Sequence, residues 1–432
     1  MNRINEQERL STMSNFSSSL VQILIKLSEP LKESLSATPY TPPESYATVS
    51  VKSHLQSLLP DPTISEPNLR TRTKDFALCC AALAHAPNSS TPHLSWVPNS
   101  LSLSAVSAFK KFADAYYDES VHTKCLMKVG DPESDKKLVT ELMPEVLPLL
   151  KGQIKESAID ASDENDGVLA ASARAPVAYA ILAAYQMTWF VVQVDAPCLG
   201  KLCSLVIPCA LTALDHWSPE VKGQGMISFI YLAKRINASD IGGYADVMLD
   251  ACCQNIASDD EIWHFVVEMS VLLVALTQQS NPRSSWYEKL LNEMLNHLER
   301  QPRNKKRRIA WLKHCEPLFN GLGLVLLAHF RRLFPLFFKW MHADDDETVL
   351  LVLERMITVL RLTWIRNSQF IERLVDELVT LYKDAALKGA REDIRSLILQ
   401  MLNLIRVSKR QQLDATWFKY KDDPNLTALM SS

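Results

Sequence analysis

Glycine is scarce, with 11 residues in a chain of 432, well below the roughly 7% of an average protein. Nucleotide-binding α/β folds spend glycine at the turns that cradle phosphates, so a Rossmann or P-loop enzyme is not expected. An excess of one charge is also lacking. With 46 basic against 49 acidic residues the formal net charge is −3, which leaves no global field to draw the chain onto nucleic acid or an anionic membrane. The nine cysteines are odd in number and form no C-x-x-C pair; reduced thiols serving as small core residues are expected in place of a disulfide framework. No H-E-x-x-H, G-x-S-x-G or Walker pattern occurs, and Gly321-x-Gly323 is a bare G-x-G within a helical pattern. His314-Cys315 and Cys252-Cys253 are neighbours in sequence, and adjacent residues on a helix point about 100° apart, too divergent to meet at one atom. No catalytic residue, cofactor, metal or small-molecule substrate is expected.

A secretory signal is not apparent either, because residues 1–10 carry charges and no apolar run. The expected location is cytosolic or nuclear. The most lipid-like stretch, 322–341, has Arg331 and Arg332 at its centre, which a membrane span would bury at a cost of about 3 kcal/mol each. It reads better as the boundary of a buried helix pair, and no membrane contact is expected.

What the chain does contain is a repeat. Ile207/Leu211/Leu214 is followed by Leu249/Cys253/Ile256, Leu291/Leu295/Leu298, Phe334/Phe338/Met341 and Val375/Val379/Tyr382, at intervals of 41 to 43 residues. Each triplet has the i, i+4, i+7 spacing that lines one face of an α-helix. A period in the low forties is that of HEAT and armadillo arrays, in which each antiparallel helix pair needs a neighbour to bury its stripe. The fold class implied is all-α, an α-solenoid of HEAT/ARM-like helix pairs.

The organisation follows from the same pattern. Residues 1–128 form an irregular helical region whose connectors at 38–45, 59–67 and 87–99 each hold at least two prolines. Helices are predicted there over 16–35, 45–59, 69–86 and 102–128. Residues 129–408 hold about six units, the first with an acidic insertion at 156–167. First helices of the regular units are predicted near 201–214, 243–256, 285–298, 330–342 and 369–388, and second helices near 219–235, 260–277, 304–317, 346–361 and 391–407. A polar tail, 409–432, carries Trp417, Phe418 and Tyr420 and is expected to cap the array or to be a flexible end.

The unit at 205–236 reads Leu205-x-x-Pro208-x-x-Leu211-x-x-Leu214-Asp215, then Pro219-x-Val221-Lys222. It resembles the HEAT consensus: Ser218 is placed to cap the second helix, Pro219 fits its first position, and Val221 turns inward. Pro335, Asp344 and Val349 repeat that logic further on. The proline-rich N-terminal third, the acidic loop, and Asp215-His216-Trp217 running into Val221-Lys222-Gly223-Gln224-Gly225 resemble the Tel-two-interacting protein two family. That resemblance implies a subunit of the TTT co-chaperone complex. Such a subunit binds other helical-repeat proteins and acts with the ninety-kilodalton heat-shock chaperone in maturing phosphatidylinositol-3-kinase-related kinases, and it implies no catalytic residue.

In a stack of hairpins the turns within each pair lie along one edge. That edge reads Asp215/Glu220, Ser258 to Glu261, Arg303 to Arg308, Asp344 to Glu347, then Lys388/Arg391 with Glu392/Asp393. One basic turn among acidic ones would select a complementary protein partner. Beside ordinary solvation, helix capping is the favoured explanation of the acidic turns, since Ser258-x-x-Glu261 and Asp344-x-x-Glu347 have capping-box spacing. Arg303, Lys305, Lys306, Arg307 and Arg308 open a helix, where the dipole disfavours positive charge. The run matches a short nuclear-localisation pattern and equally suits an acidic partner; neighbouring turns lack the basic residues that would track nucleic acid.

Trp217, a large ring in a turn, and Lys222 complete the candidate partner-binding set. The second helices, with Lys222, Arg307, Arg308, Arg355 and Arg395, are expected to line the binding side. Of the acid-flanked serines Ser157, Ser162 and Ser258, Ser162 is the best candidate phosphosite. The reading is a non-enzymatic protein-binding scaffold. A nuclear-transport or phosphatase-scaffold solenoid is the nearest alternative, and an enzyme on a helical scaffold a more distant one.

Overall fold

Every regular element in the computed structural model is helical among the described residues, which are 2–42, 50–60, 68–88, 91–121, 133–157, 176–279, 281, 283–364, 366 and 368–426. The chain forms two compact units, Met1–Ile241 and Gly242–Ser432.

Unit 1 runs α1 (Asn2–Ala37), α2 (Val51–Ser57), α3 (Leu69–His85), α4 (Asn99–Val121), α5 (Ser134–Glu156), α6 (Val177–Gln193), α7 (Ala196–Leu214), α8 (Pro219–Arg235) and the short α9 (Ala238–Ile241). α5 pairs with α6 and α7 with α8; across the pairs α5 lies on α7 and α6 on α8, which is the two-layer packing of a helical repeat. The N-terminal hairpin is inserted in the opposite order, with its first helix α3 on α6 and its second helix α4 on α5, while α1 covers both. α6 is the centre of the unit, buried from Val177 through Val191 except at Tyr179.

Unit 2 runs α10 (Ala245–Asn255), α11 (Trp263–Thr277), α12 (Ser285–Arg300), α13 (Lys305–His314), α14 (Glu316–Leu322), α15 (Leu326–Met341), α16 (Asp346–Thr363), α17 (Ile371–Asp384) and α18 (Arg391–Trp417). α10, α12, α15 and α17 form one layer; α11, the α13–α14 pair, α16 and α18 form the other. The second helix predicted at 304–317 is broken in two. Pro317 lacks the N–H needed to continue a helix, and it sits in the first turn of α14.

The repeated stripe is the core. Of its fifteen residues all but Leu211 and Cys253 are buried, so the 3.6-residue period reports packing directly. Within unit 2 the stripe is reinforced by aromatic contacts, with Trp311 5.6 Å from Phe319 and 6.0 Å from Trp340, and Phe334 stacked on Phe370 at 4.7 Å.

The G-x-G has a structural cause. A Cβ on Gly321 would lie 2.2 Å from the Tyr287 ring, and Gly323 ends α14 at φ +52°, a conformation that side chains disfavour. Two stretches among the described residues, Ala196–Leu214 and Glu316–Met341, have the length and apolarity of a membrane span, and about half of each is buried in the fold. Arg332, inside the second stretch, grips Glu299 through two 2.8 Å bonds and also reaches Asn292 and Asn296.

The described part of the tail, 409–426, is helical from the start. α18 continues to Trp417 past a bend at Lys409, and beyond it Tyr420 donates to Asp376 at 2.7 Å while Lys383 pairs with Asp423. These contacts fold the tail back onto α17 as a cap.

Candidate protein-binding edge

The turns within the hairpins of unit 2 are stitched to one another. Asn304 accepts from the Arg307 backbone N–H at 3.2 Å and caps α13, which points Arg307 and Arg308 in opposite directions along the edge. Arg307 reaches the preceding turn: its Nε is 2.5 Å from Asp260 Oδ1, its Nη2 donates to the Ser258 carbonyl at 3.0 Å, and its guanidinium lies 5.2 Å over the Trp263 ring. Arg308 reaches the following turn, with Nη2 2.5 Å from Asp345 Oδ2 and Nε donating to Thr348 Oγ1 at 3.0 Å. One turn further on, Lys388 donates to the Ala343 carbonyl at 2.9 Å and lies 3.6 Å from Asp346. Charges alternate along this edge because successive turns pair with each other.

The pairing shows in the carboxyl groups. The Arg307 hydrogen bond holds Asp260 below its ordinary pKa, against some burial and with help from Asn304. Burial would raise Asp345, but bonds from Thr348 and the Arg308 guanidinium outweigh it and hold the carboxyl at about 2.

This geometry relocates the predicted site residues. Arg307 is buried, with 7% of its side chain exposed, and Arg308 nearly so, and both guanidinium groups are committed inside the chain. Arg303, Lys305 and Lys306 are exposed, Lys305 lying 3.6 Å from Asp345. Arg355 is likewise committed, to Glu316 and Glu354, and Arg395 lies over the Tyr382 ring at 4.5 Å. Arg307, Arg308 and Arg355 are therefore inter-repeat ties more than a free lining, and Arg395 packs within its own helix pair.

Capping also differs in detail from the sequence reading. Asp345, not Asp344, caps α16, accepting from Thr348 N at 3.0 Å. Ser258 lies four residues before the first-turn boundary Ile262 and does not cap α11. Ser218 sits at the predicted N-cap, yet its hydroxyl donates to Glu220 Oε2 at 2.7 Å in place of a backbone contact.

In unit 1 the turn between α7 and α8 is locked by His216. Its Nδ1 accepts from the Ser218 N–H at 3.0 Å, so the proton is on Nε2, which faces Ser157 Oγ at 2.9 Å. Burial drives its pKa down to about 4, so the ring is neutral near pH 7. Trp217 stacks on it at 5.5 Å and donates to the Ser157 carbonyl at 3.3 Å, with 48% of its surface still exposed. The indole is both packed and presented. Lys222 is half-buried, and Asp215 near it has its pKa raised by burial against the pull of the lysine. Ser157 is buried in this lock, and Ser162 lies outside the described residues.

Among the described residues Cys79, Cys80, Cys203, Cys209, Cys252 and Cys315 are buried, while Cys198 and Cys253 are partly exposed. Burial pushes Cys252 up to about 12 and Cys315 higher still, so neither thiol is a nucleophile near pH 7. No group of three metal-ligating side chains occurs among the described residues. A hollow of about 630 Å³, open to solvent, lies between the last two turns of unit 2, where His342 pairs with Glu377 at 2.8 Å.

These features define a helical-repeat protein whose turns are fixed by inter-repeat ties. It belongs to the family of the uncharacterized protein At2g39910 of Arabidopsis thaliana, to which it is 54% identical over 430 residues, covering 99% of this chain and 98% of that one. No family model matches the sequence. Among solved structures, Kap121p resembles it at 10% identity with a TM-score of 0.49, over 97% of this chain and 47% of that one. A chain from a complex of Kap95p with RanGDP resembles it at 12% identity with a TM-score of 0.48, over 87% and 50%. The chain thus spans about half the length of these two solved chains.

Proposed function

We propose that this chain is a non-enzymatic scaffold that binds other proteins through side chains displayed on rigid turns. The observation that carries the reading is the pairing of successive turns in unit 2: Arg307 and Arg308 fix the backbone, while Arg303, Lys305 and Lys306 beside them remain exposed. Preorganised display lowers the entropic cost of association. Trp217 in unit 1 follows the same design, anchored through its indole N–H with half its surface presented.

Within that role, the chain serves as a subunit of a TTT-like co-chaperone assembly in the cytosol or nucleus. There it contacts other helical-repeat subunits and the ninety-kilodalton chaperone during maturation of phosphatidylinositol-3-kinase-related kinases. The sequence resemblance at 215–225 supports this finer reading, and the lock between Ser157 and His216 gives that segment a defined shape. Affinity purification of the full chain with quantitative mass spectrometry tests it. Stoichiometric recovery of the other two TTT subunits is expected; recovery of importins or a phosphatase core in their place would refute the TTT assignment while keeping the scaffold.

A further inference from the structure

Along the ladder of turns in unit 2, Arg307 and Arg308 are tied to the neighbouring turns. The opposite edge, where one hairpin passes to the next, differs. α15 and α16 are joined by the short 342–345 turn and pack antiparallel, so the start of α15 lies beside the end of α16, and the 323–325 turn packs against α16. Three apolar side chains stand in solvent there: Trp364 at 63% exposure, Leu324 at 45% and Val325 at 37%. Trp364 ends α16 at φ +52° and ψ 27°, the left-handed conformation that helix ends reserve for glycine or asparagine. Among the described residues no other non-glycine has a positive φ. A large ring is thus held in an unfavourable backbone state and leaves most of its surface in water.

The segments that carry these side chains hold no acidic residue: none occurs between Glu316 and Asp344 or between Glu354 and Glu372. Glu372, just beyond, is paired with Lys419, and Glu288 of α12 lies 3.8 Å from His329 of α15. Arg361, one turn before Trp364, and Arg366, two residues after it, are exposed, and neither has an ion-pair partner among the described residues. We propose that this edge docks an acidic peptide segment of a protein partner. An aromatic or aliphatic anchor packs on Trp364, Leu324 and Val325, and carboxylates meet Arg361 and Arg366. The site rests on the scaffold reading and gives it a location and a ligand chemistry. Tryptophan and arginine are the residues that most often carry interface energy. An anionic lipid surface asks for a cluster of roughly four to eight basic residues, more than this edge supplies.

The test pans a phage-displayed library of random peptides of about 12 residues on the full chain. Enriched sequences are then measured as labelled peptides by fluorescence anisotropy against the unaltered protein, Trp364→Gly and the double variant Arg361→Glu/Arg366→Glu. Enriched peptides are expected to be acidic with an aromatic or leucine anchor and to bind either variant at least about tenfold more weakly, a change of about 1.4 kcal/mol. Because glycine suits the left-handed position, Trp364→Gly is expected to melt no lower than the parent.

Failure of any peptide to enrich, enrichment of neutral or basic peptides, or equal binding to all three proteins overturns the site. So does sedimentation with phosphatidylserine vesicles that Trp364→Gly abolishes. If Trp364→Gly melts lower, the double variant decides, and its retention of full peptide affinity overturns the proposal. Recovery of the same partners from cells by the parent and by both variants defeats this site and leaves the scaffold standing. Absence of any partner from the parent defeats the scaffold reading itself.

Discussion

In unit 1 the turn between α7 and α8 is held by a neutral imidazole, His216, wedged between Ser157 and Ser218. In unit 2 the equivalent turns are held by Arg307 against Asp260 and Arg308 against Asp345. Both devices satisfy buried polar groups and fix a turn on the neighbouring repeat, but they fail under different conditions. A neutral hydrogen bond is indifferent to salt and is broken by protonation; an ion pair tolerates mild acid and weakens with ionic strength. The same repeat geometry therefore gives two units with different physical sensitivities.

The largest expected effect comes from removing the tie of unit 2. Arg307→Ala strands Asp260 and the Ser258 carbonyl and empties space over Trp263. Breaking a fully buried pair costs about 3–5 kcal/mol, and the half-exposed Asp260 lowers this to about 2–3 kcal/mol. Hydrogen exchange followed by mass spectrometry is expected to show faster exchange across α11 and α13, with α7 and α8 unchanged. Equal loosening of both units would show that the tie is not local.

Acid sharpens the contrast from the other side. His216 titrates near 6.5 when unfolded and at about 4 when folded, so the unfolded chain takes up the proton first. Its contribution is complete above about pH 6.5 and is lost as pH falls toward 4, a change on the order of 2 kcal/mol. His264, His297 and His329 in unit 2 are also lowered, each chiefly by burial, so acid weakens both units. The distinguishing result is a His216→Asn variant whose α7–α8 opening, read as exchange corrected for its intrinsic pH dependence, no longer increases between pH 6.5 and 4.5, while that of unit 2 still does. Persistence of the α7–α8 response in that variant would assign the acid sensitivity elsewhere.

Salt should separate the units more weakly. Raising sodium chloride from about 0.05 to 1 M shortens the Debye length to about 3 Å, and partly buried pairs such as Arg308–Asp345 feel only part of that screening. Opening of α13 and α16 is expected to become easier by about 0.5–1 kcal/mol, with no change around His216. A larger change in unit 1 than in unit 2 would invert the assignment of neutral and charged ties.

The two layers of helices were legible in the sequence because burial and periodicity are local: Leu291, Leu295 and Leu298 lie on one stripe whatever the rest of the chain does. The break at Pro317 was missed: the helix predicted over 304–317 runs into it, although a missing N–H is a property of one residue. The ties were not legible. Asp260 and Arg307 are separated by 47 positions and Ser157 and His216 by 59, and which of five neighbouring basic residues turns inward depends on the cap that Asn304 supplies. The Asp345 cap shows the limit at its smallest scale, one residue away from the capping box suggested by Asp344 and Glu347. Trp364 is invisible for another reason, because a sequence does not print φ. Glycine at 323 hints at its own left-handed turn, whereas tryptophan at 364 gives no such hint.

The smallest expected effect on stability is also the one that separates tie from display. A variant combining Lys305→Glu with Arg307→Glu would test partner binding poorly, because Arg307 is buried against Asp260 and its reversal places two carboxylates together. Arg303→Glu with Lys306→Glu changes only exposed side chains in the same turn. Substitutions of that kind normally move stability by less than about 0.5 kcal/mol, so the melting temperature and helical circular-dichroism signal should match the parent. If the exposed remainder of the basic run contacts an acidic partner, quantitative recovery of that partner should fall as the salt concentration rises, and should fall further in this variant. A variant that is stable and recovers every partner at parental levels would leave the run with the single role of holding Asp260 and Asp345 in place.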